Sequence, residues 1–182
     1  MRWQIGWQGL TFAVMIFIGG LFLGSRLHMS EPVHSTAAER LQPAATAPAA
    51  RSPGATVYVP VYSSVHNGLS TRQQTIQLSA TLSVRNVSTD HPIVLEWVRY
   101  HDSTGKLVRN YLDTPSALPP LSSVEFVIQR ADTAGGPGAS FLVHWKGPPD
   151  VDAPIFEAVM LGQNGGSFTS QGRTLTSRAG AQ

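Results

Sequence analysis

The residues able to carry chemistry are scattered, and the densest group is the run Ala131-Asp132-Thr133-Ala134-Gly135-Gly136-Pro137-Gly138-Ala139-Ser140-Phe141. An aspartate at the head of a glycine-rich loop has three uses. An Asp-Thr pair can form half of a dyad in which two carboxylates share a proton. Here the third residue is Ala134 rather than glycine, and the chain holds no second copy. Glycines can also cradle a phosphate. That use needs a G-x-x-x-x-G-K-[ST] or G-x-G-x-x-G pattern leading into a helix N-terminus, and neither pattern is present. The third use is architecture. Asp132 and Thr133 can cap backbone amides through their side-chain oxygens, and Gly135, Gly136 and Gly138 can take positive φ at little steric cost. The architectural reading fits the residues, and a loop shaped this way can also serve as a recognition surface.

The six histidines are His28, His34, His66, His91, His101 and His144. None pair at H-x-H or H-x-x-x-H spacing, so no preassembled metal site is indicated. The metal alternative is a site gathered in space from His66, His101, Asp102 and His144. Asp150 and Asp152 offer calcium only two carboxylates, and the EF-hand pattern is absent. There is no G-x-S-x-G elbow. The absence of cysteine excludes disulfides, thiolate metal sites and cysteine nucleophiles. Asn86-Val87-Ser88 matches a glycosylation sequon. The sequence therefore assigns no catalytic residue, no cofactor site and no metal site. Its candidate recognition surface is Asp132, Thr133, Gly135, Gly136 and Gly138 with Tyr58, Tyr62 and His66. The alternative is a hydrolase or metal-dependent enzyme in which Asp132 works with His66, His101 or His144.

The elements that must position these residues are strands. Ile76, Leu78, Ala80, Leu82 and Val84 alternate with polar residues, giving one dry and one wet face. Further strands are expected over Val57–Tyr62, Ile93–His101, Lys106–Leu112, Val124–Arg130, Ser140–Trp145, Ile155–Leu161 and Ser167–Leu175. Asn67-Gly68, Asp102-Ser103-Thr104-Gly105, Pro119-Pro120 and Gly147-Pro148-Pro149 punctuate them as turns. Seven to eight antiparallel strands and no soluble helix point to an all-β, immunoglobulin-like sandwich, with a small barrel as the alternative. The inward set should include Leu78, Leu82, Val84, Leu95, Trp97, Phe126, Ile128, Phe141, Val143, Trp145 and Val159.

This domain, residues 56–176, is the third of four parts. Trp3 to Ser25 gives 23 residues without a charge, and the apolar heart Leu10–Leu23 has 14. No small-x-small cleavage site follows promptly, so residues 1–27 read as an uncleaved transmembrane signal anchor, with membrane contact over residues 5–24. The alternative is a cleaved signal peptide. Either way the remainder would be exported, with the C-terminal domain periplasmic. Gly20 and Gly24 make a GxxxG match, explained by the glycine content of the segment. Residues 28–55 are an Ala/Pro-rich disordered linker, and 177–182 a flexible tail. The pI of 9.3 does not indicate a nucleic-acid partner. Between residues 56 and 176 eight Lys or Arg meet nine Asp or Glu, so the basic excess lies in the tails.

Six blocks occur in order: VYVPVYSSVHNG (57–68), LSATLSVRN (78–86), VRYHDSTGKLVRNYLDTP (98–115), ADTAGGPGASFLVHW (131–145), PIFEAVMLG (154–162) and SFTSQGR (167–173). Together they resemble the bacterial domain-of-unknown-function family 3124 over about residues 57–175. The resemblance implies a small bacterial exported or membrane-tethered protein and supplies no catalytic residues to transfer. The expected function is a non-enzymatic module bound to the membrane, whose partner is an envelope protein or other periplasmic ligand.

Overall fold

Period-two alternation produces strands wherever the expected pattern is long, and the computed structural model describes residues 41–43, 54–68, 74–163 and 165–176. The strands in chain order are β1 (Gln42–Pro43), β2 (Gly54–Pro60), β3 (Ser64–Asn67), β4 (Gln74–Arg85), β5 (Ile93–His101), β6 (Leu107–Asn110), β7 (Ser116–Leu118), β8 (Ser123–Ile128), β9 (Ser140–Lys146), β10 (Ile155–Gly162), β11 (Ser167–Gln171) and β12 (Arg173–Leu175). No helix occurs among the described residues. The signal anchor, its GxxxG match, residues 28–40 and 44–53 of the expected linker and the 177–182 tail lie outside them.

Two antiparallel sheets result. One runs β1-β7-β5-β9-β2-β12, with β6 also on β5. The other runs β11-β10-β4-β3, with β8 also on β4. The sheets share one hydrophobic core, in which Leu82, Val84, Leu95, Val98, Tyr100, Ile128, Phe141 and Val143 are fully buried. Burying each large apolar side chain contributes roughly 1.5–3 kcal/mol, which is how a chain without disulfides keeps two sheets together. The arrangement is sandwich-like and all-β.

The strand count exceeds the expected seven to eight because short pieces complete the edges. β3, β7 and β1 are too brief to show alternation. Gly172 breaks the last expected strand in two: β11 pairs with β10 in one sheet and β12 with β2 in the other. A Cβ on Gly172 would sit 2.7 Å from Val57 Cγ1 and 2.8 Å from Phe156 Cβ, so only glycine fits where the chain changes sheets. β1 lies within the stretch expected to be a disordered linker. Its neighbour Leu41 is buried, and Gln42 and Pro43 pair with Ala117 and Ser116.

Two members of the expected inward set point outward. Trp97 follows a β-bulge: Leu95 pairs with Trp145 and Trp97 with His144, leaving Glu96 as the extra residue. The bulge reverses the alternation, so Val98 and Tyr100 fill the core while Trp97 stays on the outer face. Val159 fails for another reason. Its strand is apolar on both faces, and Phe156, Ala158 and Met160 took the inside, leaving Ile155, Val159 and Leu161 exposed.

Candidate functional site

The glycine loop is built into the end of the sandwich by hydrogen bonds from two neighbouring segments. Ser103 donates both its backbone amide and its hydroxyl to Gly135 O, at 2.9 Å each, and Ser103 Oγ accepts from the Gly138 amide at 2.9 Å. From the other side, Ser63 donates its amide (3.1 Å) and hydroxyl (3.2 Å) to Gly136 O. Gly136 sits at φ 73°, in the left-handed region that glycine occupies cheaply. Three chain segments around Ser63, Ser103 and Gly136 thus form one stapled platform.

Asp132 supports this platform from within. Its Oδ1 accepts from the Ala134 amide at 3.1 Å, closing a local turn. Its Oδ2 takes the Arg109 guanidinium at 3.0 Å. Arg109 also donates to the Tyr111 hydroxyl at 3.0 Å, and Tyr111 passes a bond to Val127 O at 2.9 Å. Among the described residues no histidine hydrogen-bonds to Asp132. The neighbouring Asp102 is a turn residue, as its place in the Asp-Ser-Thr-Gly stretch led one to expect. Its Oδ1 accepts from Thr104 Oγ1, Thr104 N and Lys106 N at 2.7, 2.8 and 2.9 Å. These bonds, the Thr104 hydroxyl first, hold its carboxyl below the usual range.

The other candidates are dispersed. Tyr62 is exposed beside the platform and meets Phe168 edge-on, with ring centroids 5.6 Å apart. His66 is exposed on β3, and Tyr58 lies on the outer face of the β2 sheet, opposite Leu142 and Arg173. Among the described residues no three of His, Asp and Glu gather as a metal-binding group.

Sequence reasoning missed a cluster on that outer face. Thr56 Oγ1 lies 3.0 Å from His144 Nδ1, Glu96 Oε2 lies 3.4 Å from His144 Nε2, and Lys146 Nζ lies 2.6 Å from Glu96 Oε1. Trp97 stacks against the imidazole (5.5 Å, 15°), and the Arg99 guanidinium lies 4.3 Å from the Trp97 ring centroid. The signal lay in the bulge at Glu96, which period-two counting cannot see. A hydroxyl–imidazole–carboxylate chain is the skeleton of a nucleophile triad. This one lies on a sheet face, with Lys146 already holding the carboxylate. A cleft of about 290 Å³ lies elsewhere, lined by Val57, Trp145, Pro154, Phe156, Gly172 and Thr174.

The sequence model of the family described as "Protein of unknown function (DUF3124)" matches residues 54–175. The chain belongs to the DUF3124 family. The match opens at the first residue of β2 and closes at the last of β12, so the family unit is the two-sheet domain. No curated protein and no solved structure matches the chain.

In this DUF3124 domain the Asp132–Arg109 pair is expected to matter for stability. The side chains are 13% and 46% exposed, so water screens the pair. Asp132→Asn should lower unfolding free energy by only about 0.5–1 kcal/mol, since asparagine can still accept from Ala134. Asp132→Ala should cost about 1 kcal/mol more. Chemical denaturation of both variants checks this, and equal losses would show that the turn bond contributes nothing.

The tyrosines give a pH dependence. Burial raises the pKa of Tyr100 and of Tyr111, in the latter against the opposing pull of Arg109. A hydroxyl whose folded pKa is raised contributes stability that is full below its unfolded value, near 10, and is lost as pH climbs through the folded one. The melting temperature should therefore begin to fall above about pH 10, and less steeply in Tyr111→Phe. A profile of identical slope in that variant would remove Tyr111 from the account.

Proposed function

We propose that this protein is a non-enzymatic binding module of the bacterial envelope, immunoglobulin-like in architecture but with its own strand order, and that it recognises a protein partner through the platform end of the domain. The observation that carries this reading is the stapling of the loop around Gly136 to Ser63 and Ser103. A loop fixed in advance forfeits little conformational entropy on binding. Its outward residues, Thr133, Ala134, Pro137 and Gly138, are exposed, and the Tyr62–Phe168 pair adds exposed aromatic area beside them. Aromatic anchors of this kind dominate interface energies. In this reading Asp132, Gly135 and Gly136 shape the surface, and Thr133 and Tyr62 touch the partner, with His66 and Tyr58 outlying.

The tether belongs to the same proposal. The uncharged segment from Trp3 to Ser25 anchors the chain through residues 5–24, and the domain faces the periplasm; secretion after cleavage is the alternative. A reporter fused after Gln182 should be active only outside the cytoplasm, and activity inside would overturn the placement. For the surface, a photo-crosslinking residue is placed at Thr133, at Tyr62 or at exposed Ile155, which pairs with Arg85 at the end of β4 away from Ser63. Discrete adducts are expected in native membranes at the first two positions and not at Ile155. The same adducts at all three, or none at any, would reject the platform as the contact surface.

A further inference from the structure

The outer face of the β2 sheet raises a separate question: why does a bulge turn a tryptophan away from the core? Regular alternation through β5 would have buried Trp97, at a gain of roughly 2–3 kcal/mol for so large a side chain. Bulges recur where a side chain has to be re-aimed. Here the bulge brings Glu96 and Trp97 out together, and both then engage His144.

What surrounds Trp97 is cationic and aromatic apart from Glu96, whose carboxylate is held by Lys146. Cross-strand pairing sets Arg173, Tyr58, Leu142 and Arg99 in one row across β12, β2, β9 and β5. The adjacent row runs Leu175, Thr56, His144, Trp97. Arg99 and Arg173 are exposed, and among the described residues neither is within ion-pair distance of a carboxylate. The Trp97 ring fixes the Arg99 guanidinium in place, leaving its N–H fork available. Tyr58 lies between the two arginines with its ring exposed. The far sheet is of opposite character: Glu125 and Glu157 flank Ser83 on its outer side, with Arg85 alone to offset them.

We propose that this outer face binds a chain-like anionic glycan, with Arg99 and Arg173 pairing with its acidic groups and Tyr58 packing against a sugar ring between them. Three features carry the assignment. Guanidinium forks match carboxylate and phosphate oxygens in geometry as well as charge. The two arginines are three strand spacings apart, about 14 Å. That spacing suits a polymer with an acidic group only every few units. Finally, the surface is a continuous sheet face, which accommodates a chain lying across it. Trp97 is the positioning residue, because it acts by holding Arg99. This proposal uses a surface distinct from the platform and stands or falls separately from it.

The test uses the full chain in detergent micelles, titrated calorimetrically with two hexasaccharides that carry an acidic group only at every third sugar, a uronate in one and a sugar phosphate in the other. Saturable binding of at least one is expected. It should weaken about tenfold or more in the double variant Arg99→Ala/Arg173→Ala and be unchanged in Arg85→Ala, which removes one positive charge from the far face. Trp97→Leu should weaken the acidic oligomer while leaving the unfolding midpoint of the domain in place, because its indole is outside the core. Four outcomes would overturn the proposal. They are binding of neither acidic oligomer, equal weakening by Arg85→Ala, equal affinity for a neutral glucan of the same length, and tighter binding of a single-stranded oligonucleotide or of phosphatidylglycerol vesicles.

Discussion

Asn86→Ala should cost the domain about 3–4 kcal/mol and lower its melting temperature by about 10 °C or more. Asn86 is 2% exposed and stands where β4 ends. Its Nδ2 donates to the carbonyls of His91, Leu118 and Pro119 at 2.9, 3.1 and 3.0 Å, and its Oδ1 accepts from the Ser88 amide at 3.0 Å. Its own backbone amide reaches Ser122 O at 2.9 Å. One side chain therefore ties the turn between β4 and β5 to the turn between β7 and β8. Alanine removes all four side-chain bonds and strands their partners, and a buried polar group left unpaired costs about 1–3 kcal/mol. Aspartate should be no better, because it turns a carboxylate toward three carbonyl oxygens. Urea denaturation should show a lower midpoint at unchanged slope; a loss below about 1 kcal/mol would mean that water replaces the amide without penalty. The same burial answers the sequon question, since an Nδ2 engaged in this way is closed to glycosylation once the domain has folded.

Asn86 also shows what a sequence discloses. Its motif suggested a surface modification, whereas its role depends on Leu118 and Pro119, far along the chain. Local chemistry was legible: Asp102 caps its turn, and the alternation from Ile76 to Val84 became β4. The family was legible from the order of its blocks, because such order survives where single motifs mislead. Parity was legible only where one face was clearly polar. In β10 both faces carry apolar residues, so Val159 and Met160 were equally eligible for the core and neighbouring strands decided between them. At Glu96 a single inserted residue reversed the phase, and with it hid Trp97, Arg99 and His144 as a group. Asp132 was correctly read as a loop residue, but its partner Arg109 lies on another strand, and no spacing rule connects the two. What escaped was long-range pairing, which is the property that sheets add to a sequence.

Gly135→Ala should be nearly as damaging as Asn86→Ala, and its mechanism can be isolated. A Cβ at Gly135 would lie 1.7 Å from Tyr100 Oη, 2.6 Å from Tyr100 Cζ and 2.9 Å from Ala139 Cβ. No real contact is so short, and Tyr100 is fully buried against Phe141 (ring centroids 5.5 Å apart), so its ring cannot simply swing aside. Overpacking of this kind costs about 1–3 kcal/mol, and here the upper end is expected because Gly135 O is also held by Ser103. The obstructing atom is itself dispensable. The Tyr100 hydroxyl lies close enough to Ser63 to feel it, yet it is buried without a partner in hydrogen-bonding geometry. Tyr100→Phe should therefore be neutral or stabilise by up to about 1 kcal/mol. Placed together, Tyr100→Phe should return about half of what Gly135→Ala costs, because the clash with Oη is gone while that with Cζ persists. The two residues touch, so this departure from additivity is expected to exceed about 0.5 kcal/mol. Additive losses would show that Gly135→Ala acts through its backbone instead, and a destabilising Tyr100→Phe would show that the hydroxyl has a bonding partner after all. If the cycle behaves as expected, Gly135 is glycine because a core tyrosine reaches the surface beneath it, and the loop owes its shape to the core.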